Sequence, residues 1–335
     1  MEIKEKIARK NILRKGIDIQ GVRVKGYDFN QGVDYTKLLE SFSTTGFQAD
    51  HFSKAISIIK KMIKNDAKIF LGYTSNMVSS GLREIFRYLV EHKKINLIVT
   101  TAGGVEEDII KCLGDFIVGD FRASGKELRK KGINRIGNIF VSNNRYIEFE
   151  KWVQALLEEL HEESRKTKKL INPSDIIWAM GRRIRDKRSI CYWAWKNKIR
   201  IYCPALSDGA LGDNIYFFKH RHRDFVIDIT EDTKRLNDAT IGLNKLGLII
   251  LGAGVVKHSL LNAAMLRNGA DYAVYINTSQ EYDGSDSGAE PDEAVSWGKI
   301  LPDAESVKVF GDATILFPLI AAESFAGKRN YMLRD

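Results

Sequence analysis

Cysteine is scarce in this 335-residue chain: Cys112, Cys191 and Cys203 stand far apart and are odd in number. That offers no disulfide framework and no zinc-finger spacing, and it suits a reducing, cytoplasmic setting. Only five prolines occur, and no linker-like composition interrupts the chain. No hydrophobic run is long enough for a bilayer, since the longest near-apolar stretch, Leu246 to Val256, is short and holds three glycines. A secretory signal is not expected either, because the opening MEIKEKIARKNILRKG is charged and lacks an apolar centre. Glu2 and Glu5 argue against a mitochondrial presequence. The net charge is +9, but no interleaved aromatic pattern accompanies it, so no nucleic-acid surface is expected. The six histidines are scattered; His220 and His222 flank Arg221 without a third ligand nearby in sequence. They read as a solvated basic loop, and no metal is expected.

What the chain does hold is an ordinary globular balance, 44% hydrophobic and 28% charged, and enough length for a large core. Short apolar runs alternate with helical periodicity from about residue 50. Ala67–Leu71, Asn96–Thr100, Ile199–Cys203, Phe225–Ile229, Leu248–Leu251, Ala273–Asn277 and Val307–Phe310 read as strands, most of them buried on both faces. Between the first two, Gly72–Gly81 reads as a turn, followed by a helix with Ile85, Leu89 and Val90 on one face. Glu106, Glu107 and Asp108 are expected to open a helix, where their charge suits the macrodipole. Phe149–Leu160 is an amphipathic helix, and the charged run 162–169 reads as its solvated exit and a loop. Strands separated by helices imply right-handed crossovers and a parallel α/β sheet. The expected organisation is a basic extension over residues 1–20 and a single α/β domain over 21–335, without internal repeats.

Ligands in such sheets bind beyond the carboxyl ends of the strands. Polar or small residues recur there: Ser75-Asn76, 101–104, 207–209, 252–254, Thr278 and Asp312. These ends could admit a dinucleotide, or the glycines could simply turn the chain; the G-x-G-x-x-G fingerprint is absent, since 252–254 is followed by Val255-Val256-Lys257. The most distinctive segment is 281–299, EYDGSDSGAEPDEAVSWGK, with six carboxylates and one lysine, Lys299. An acidic island in a basic chain suits a cation. With Lys299 beside Trp297 as a candidate nucleophile, the island suggests chemistry on a small polyamine.

The strings FLGYTSNMVSSG, VTTAGGVEED, KGINRIGN, PALSDGALGD, ILGAGVVKH, RNGADYAVYINT and the 283–299 segment resemble the deoxyhypusine synthase family, in that family's order and over most of the chain. The resemblance implies a Rossmann-like parallel sheet with helices on both faces, and a homotetramer with active sites at subunit interfaces. It implies NAD-dependent transfer of the 4-aminobutyl group of spermidine to one lysine of the translation initiation factor 5A precursor. By motif, Lys299 would be the covalent nucleophile and His258 the proton acceptor. The cofactor would meet Ser75, Asn76, Ser79, Thr101, Ala102, Gly103, Glu107, Asp208, Ala253, Thr278, Ser279, Asp312 and Ala313. Spermidine would meet Glu106, Asp213, Asn262, Tyr275, Gly284, Asp286, Ser287, Glu293 and Trp297. In some relatives an N-terminal helix covers the site mouth; the N-terminal extension here is short and basic, and the resemblance leaves open whether Met1–Lys15 does the same.

Each residue also has a plainer reading. Asp213 after Gly212 could serve a turn or cap, Glu293 could sit in a first helical turn, Trp297 could be core, and His258 could merely follow a glycine turn. A nucleophilic lysine must be neutral, whereas nearby carboxylates favour the ammonium. Desolvation by Trp297 and cancellation of charge by a bound polyamine would oppose them. Three other functions remain open: a homospermidine-forming enzyme with putrescine as acceptor, a regulatory paralogue, and a polyamine-binding protein without turnover. The presence of Lys299 speaks against the paralogue.

Overall fold

The computed structural model describes residues 2–326; Met1 and 327–335, which the expected domain bounds include, lie outside the described residues. The described chain separates into two compact units, 1–50 and 51–335. The first holds α1 (Glu2–Ile12) and α2 (Tyr35–Thr45), neither of which buries a residue. Helix α2 starts where Asp34 accepts hydrogen bonds from the Thr36 and Lys37 amides.

After α3 (Phe47–Lys64) the second unit forms its main sheet. Its strands are β1 (Lys68–Tyr73), β2 (Leu97–Thr100), β6 (Arg200–Tyr202), β7 (Leu246–Leu251), β8 (Ala270–Asn277) and β9 (Ile300–Phe310). All pairs are parallel, in the order β6-β2-β1-β7-β8-β9. Counted along the chain this is 3-2-1-4-5-6, the doubly wound dinucleotide-fold order. The order reverses between β1 and β7, whose registers match from Lys68↔Leu246 to Tyr73↔Leu251. Every residue of β7 is buried, which is why its sequence is a continuous apolar run.

The helices between strands are α4 (Asn76–Ser79), α5 (Leu82–Glu91), α6 (Ala102–Leu113), α7 (Gly125–Lys130), α8 (Asn143–Thr167), α9 (Pro173–Ile184), α10 (Ile190–Asn197), α11 (Ala210–Arg221), α12 (Ile229–Asp238), α13 (Val255–Leu266), α14 (Pro291–Ser296) and α15 (Ala313–Ala321). Helices α4, α6, α11, α13 and α15 begin just after the carboxyl ends of β1, β2, β6, β7 and β9. Their free amide ends therefore gather along one edge of the sheet.

Four local expectations are corrected. The segment Phe225–Ile229 is no strand: it contributes one bridge, Ile171 to Ile227, and Asp228 then caps α12 by accepting from the Thr230 and Glu231 amides. The run 162–169 is not a loop, because α8 continues to Thr167 with its charges in solvent. The expected turn 72–81 contains the end of β1 and the short α4. Glu106, Glu107 and Asp108 do not open α6, which starts at Ala102; they are buried in its second turn. A second sheet was not foreseen: β3 (Ile117–Val118), β4 (Ile133–Ile136) and β5 (Ile139–Ser142) pair antiparallel as β3-β5-β4. Its hairpin turn, Gly137-Asn138 with Gly137 at φ +59°, was the available signal.

Candidate active site

At the switch point, the carboxyl ends of β1 and β7 come so close that a Cβ on Gly252 would lie 2.5 Å from Thr74 Oγ1. Gly252 also holds φ +83°, so glycine is required on both counts. A cavity of about 180 Å³ opens here, lined by Asn76, Ala253, Thr278, Ser279, Asp312 and Ala313, together with Thr74, Met77, Gly252, Asn277 and Gly311. Six residues that the motifs assigned to a cofactor thus share one crevice, spanning the ends of β1, β7, β8 and β9. Asp312 caps α15 by accepting from Thr314 N at 2.7 Å.

Ser75, Ser79, Thr101, Ala102, Gly103 and Glu107 form the adjoining flank. Ser75 N donates to Thr101 Oγ1 at 3.0 Å, and a Cβ on Gly103 would stand 2.6 Å from that of Ser75. Ser79 donates to Glu107. Burial lifts the Glu107 carboxyl to about 7, against the Ser79 hydrogen bond and with help from Glu106. Glu106 is raised too, chiefly by burial. Its two oxygens accept from Ala210 N (3.0 Å) and Leu211 N (2.6 Å), so it caps α11, whose own N-cap, Gly209, has no side chain. Asp208 and Asp213 lie exposed beside this cap, and their charge contributes to the rise at Glu106.

The third group surrounds Lys299. This lysine is 8% exposed and lines a small cavity of about 30 Å³ with Lys257, Leu261, Asp286, Ala289, Glu290, Glu293, Ala294 and Trp297. The Lys299 ammonium lies 5.5 Å from the Trp297 ring centre, although Trp297 itself is 64% exposed. His258, in the first turn of α13, places Nδ1 3.6 Å from Asp286 Oδ1. Asp286 Oδ2 and the Tyr275 hydroxyl are buried without hydrogen-bond partners. Burial and the nearby Asp286 carboxylate push the Tyr275 phenol up. Glu293 does occupy the first turn of α14, as its plainer reading had it.

A model of the family described as deoxyhypusine synthase matches residues 37–324. The chain belongs to the deoxyhypusine synthase family. It is 47% identical over 349 residues to the deoxyhypusine synthase of Senecio vernalis, covering 96% of this chain and 94% of that one. With the Arabidopsis thaliana deoxyhypusine synthase the identity is 49% over 335 residues, covering 92% and 91%. A crystal structure of a candidate deoxyhypusine synthase from Entamoeba histolytica shares the fold with a TM-score of 0.65 and 35% identity, over 90% of this chain and 97% of that one. Among the described residues no helix is long and apolar enough to cross a membrane.

In this deoxyhypusine synthase family member, three assigned residues fall apart from the rest and two supporting ones were missed. Asn262 lines a separate cavity of about 240 Å³ with Tyr202, Cys203 and Asp232. Gly284 and Ser287 belong to the acidic loop but do not line the Lys299 cavity. The missed residues are Lys257 and Lys308, 1% and 4% exposed. Lys257 Nζ donates to Asp286 O (2.5 Å) and Ala289 O (2.8 Å), and Lys308 Nζ donates to Gly288 O (2.5 Å). Lys308 also pairs with Glu290 at 3.1 Å. Two buried ammoniums therefore hold the backbone of the loop that carries Asp286. Lysine inside strand and helix patterns gives no hint of such a role; only its place in a buried position does. All three cysteines are free, and burial pushes the Cys112 and Cys203 thiols up to about 12, which leaves them poor nucleophiles.

Proposed function

We propose that the chain transfers the 4-aminobutyl group of spermidine to a lysine of the translation initiation factor 5A precursor, forming deoxyhypusine with NAD as a resident cofactor. The observation that carries the reading is the Lys299 cleft: a buried lysine beside Asp286, Glu293 and Trp297, distinct from Lys257, whose Nζ is committed to loop carbonyls, and with Asp286 Oδ2 buried and unpartnered. A buried carboxylate oxygen without a donor, on a side chain whose other oxygen stays open to the cleft, fits a ligand ammonium.

The residues of the switch-point crevice fit a dinucleotide: a glycine that lets backbone approach closely, and helix amino ends aimed at the same edge. Asn76, Thr278, Ser279, Asp312 and Ala313 would hold it there, with Asp208 and the 101–103 turn beyond. NAD, when bound, supplies a hydride acceptor that later gives the hydride back, so the cycle has no net redox change. The protein's own groups do the rest. Asp286 and Glu293 pair with polyamine ammoniums, and Trp297 offers a cation–π face. His258, oriented by Asp286, takes the proton released from the secondary amine. Lys299 Nζ bonds to the aminobutyl carbon as the carbon–nitrogen bond to 1,3-diaminopropane breaks, giving a lysine imine. The acceptor lysine then displaces Lys299 in the same way.

We further propose a homotetramer in which one subunit's Lys299 loop completes its neighbour's cofactor site. Lys299 and Asp312 flank opposite ends of β9, whose partner residues Ala270 and Asn277 are seven steps apart on β8. At about 3.3 Å per residue that is about 23 Å, well beyond the reach of a lysine side chain. The deciding assay offers radiolabelled spermidine with either the factor 5A precursor or putrescine. Label on the protein lysine supports the reading; label only on putrescine replaces it with homospermidine formation, and no transfer to either overturns it.

A further inference from the structure

We infer that Glu158, His161, His222 and Asp224 form a binding site for a divalent first-row cation, zinc by the chemistry of its ligands. The site lies outside the crevice and the Lys299 cleft. Glu158 and His161 are three residues apart on α8, so they share one face one turn apart. His222 caps the carboxyl end of α11, and Asp224 follows in the next loop. One donor atom each from Glu158, His161 and His222 lies within 4.8 Å of the others. His222 Nε2 is 2.9 Å from Glu158 Oε1, and His161 Nε2 is 3.2 Å from Asp224 Oδ2.

The independent observation is His161 itself. It is 4% exposed, and its Nε2 has no hydrogen-bond partner; the Asp224 carboxylate is near it but not aligned to accept. A buried imidazole nitrogen left without a partner destabilises the fold. A metal ion at this point gives it one. The surroundings are those of a built site. His161 meets the edges of Phe218 and Phe225 at 5.8 and 5.7 Å, and His222 stacks on Phe218 at 4.3 Å. Both phenylalanines are buried, so the two imidazoles are oriented by packing on a water-poor floor.

Geometry and charge agree with four-coordination. Zinc bonds of about 2.0–2.1 Å to nitrogen and oxygen put tetrahedral ligand atoms about 3.3 Å apart. The two close pairs, at 2.9 and 3.2 Å, lie just inside that spacing. The Glu158 and Asp224 side chains, 43% and 63% exposed, have room to rotate toward an ion held by the two imidazoles. Two carboxylates and two neutral imidazoles neutralise a dication. Arg221 and Arg165, 3.7 Å from Glu158 and 3.9 Å from Asp224, balance those acids without metal, and both are exposed enough to swing away. The bound ion would tie α8 to the end of α11, the helix whose first turn carries Asp213.

The test uses untagged full-length protein, stripped with a chelator and dialysed, and titrated with Co²⁺. One equivalent should bind with the intense visible absorption of a four-coordinate ion, lack a thiolate band in the near ultraviolet, and be displaced by Zn²⁺. His222→Gln and the double variant Glu158→Gln/Asp224→Asn alter side chains that are 26%, 43% and 63% exposed, so both should fold. Each should bind Co²⁺ about 10-fold more weakly or worse and lose the visible band. The inference is overturned if the wild type takes up no stoichiometric cobalt, if a thiolate band appears, or if His222→Gln binds with unchanged affinity and spectrum.

Discussion

Glu106, Glu107 and Asp108 are consecutive, and the fold gives each a separate task. Glu106 caps α11, and Glu107 faces Ser79. Asp108 is fully buried and accepts from Arg83 Nε (2.8 Å), Ser189 Oγ (2.6 Å) and the Ile190 and Cys191 amides (3.0 and 2.9 Å). Sequence reading put all three at a helix start, because acids there are common; it could not see that α6 begins four residues earlier. Asp108→Ala leaves the buried Arg83 with only the exposed Glu84 carboxylate, 3.5 Å away, and should cost about 3–5 kcal/mol in a urea unfolding measurement. Glu107 makes stability depend on pH. Its folded value, about 7, lies above the 4.5 of an ordinary glutamate. Its contribution is therefore complete below pH about 4.5 and is lost as pH rises through about 7. Glu107→Gln keeps an acceptor for Ser79 and should remove that loss, raising stability of ligand-free protein at pH 8 by on the order of 1–3 kcal/mol. Equal urea midpoints for variant and wild type at pH 8 would contradict this. For Lys299→Ala we expect an intact fold, retained NAD binding and no aminobutyl transfer, since the covalent relay is gone. Borohydride trapping in the wild type should mark Lys299, and an adduct on another residue would refute its role.

At the scale of elements, the acidic loop behaves as a fixed piece. Gly288 is buried so tightly that a Cβ would stand 1.6 Å from Gln280 O, a backbone atom that must then move. Gly288→Ala should displace Asp286 and disturb the crevice less, at its Ser279 margin next to Gln280. Calorimetry should show spermidine affinity reduced about 10-fold or more, as expected when a charge pair is broken, with NAD affinity little changed. Equal loss of both ligands would instead mean that the loop and crevice move together. This tightness was not legible, since a glycine among serines and aspartates reads as a flexible turn. The long strands were legible, because burial on both faces writes an apolar run such as Leu246–Leu251. The small sheet was not: β3 is exposed and β4 only half-buried, so their sequences carry neither an apolar run nor a full alternation. Helix α8 was cut short because its last turns face solvent and look like a charged loop.

For the whole molecule, the parallel sheet and the polar strand ends were accessible from the alternation of runs, whereas the strand order was not. Nor was the grouping of donors. His161 and His222 are 61 positions apart and meet only because α8 packs on α11. The proposed assembly has its own test. Mixing Lys299→Ala with Asp208→Ala after reversible dissociation creates some sites that are wild type at both positions, if the two residues come from different subunits. We expect part of the activity to return. Hybrids that demonstrably form and stay inactive would contradict the shared site.

The connection from β8 to β9 runs through residues 278–299, from the carboxyl edge of the sheet back to its amino edge. Two adjacent parallel strands need a return path of a dozen residues or more, and a plain helix would serve. Here that compulsory return is the acidic loop with Lys299. A deletion that removed the Lys299 segment would also unmake the last strand pairing, so architecture shields the segment from being trimmed away. Loss of activity that spares the fold is then open to single substitutions, and a silent copy of such a chain is expected to keep the loop at full length with another residue at position 299.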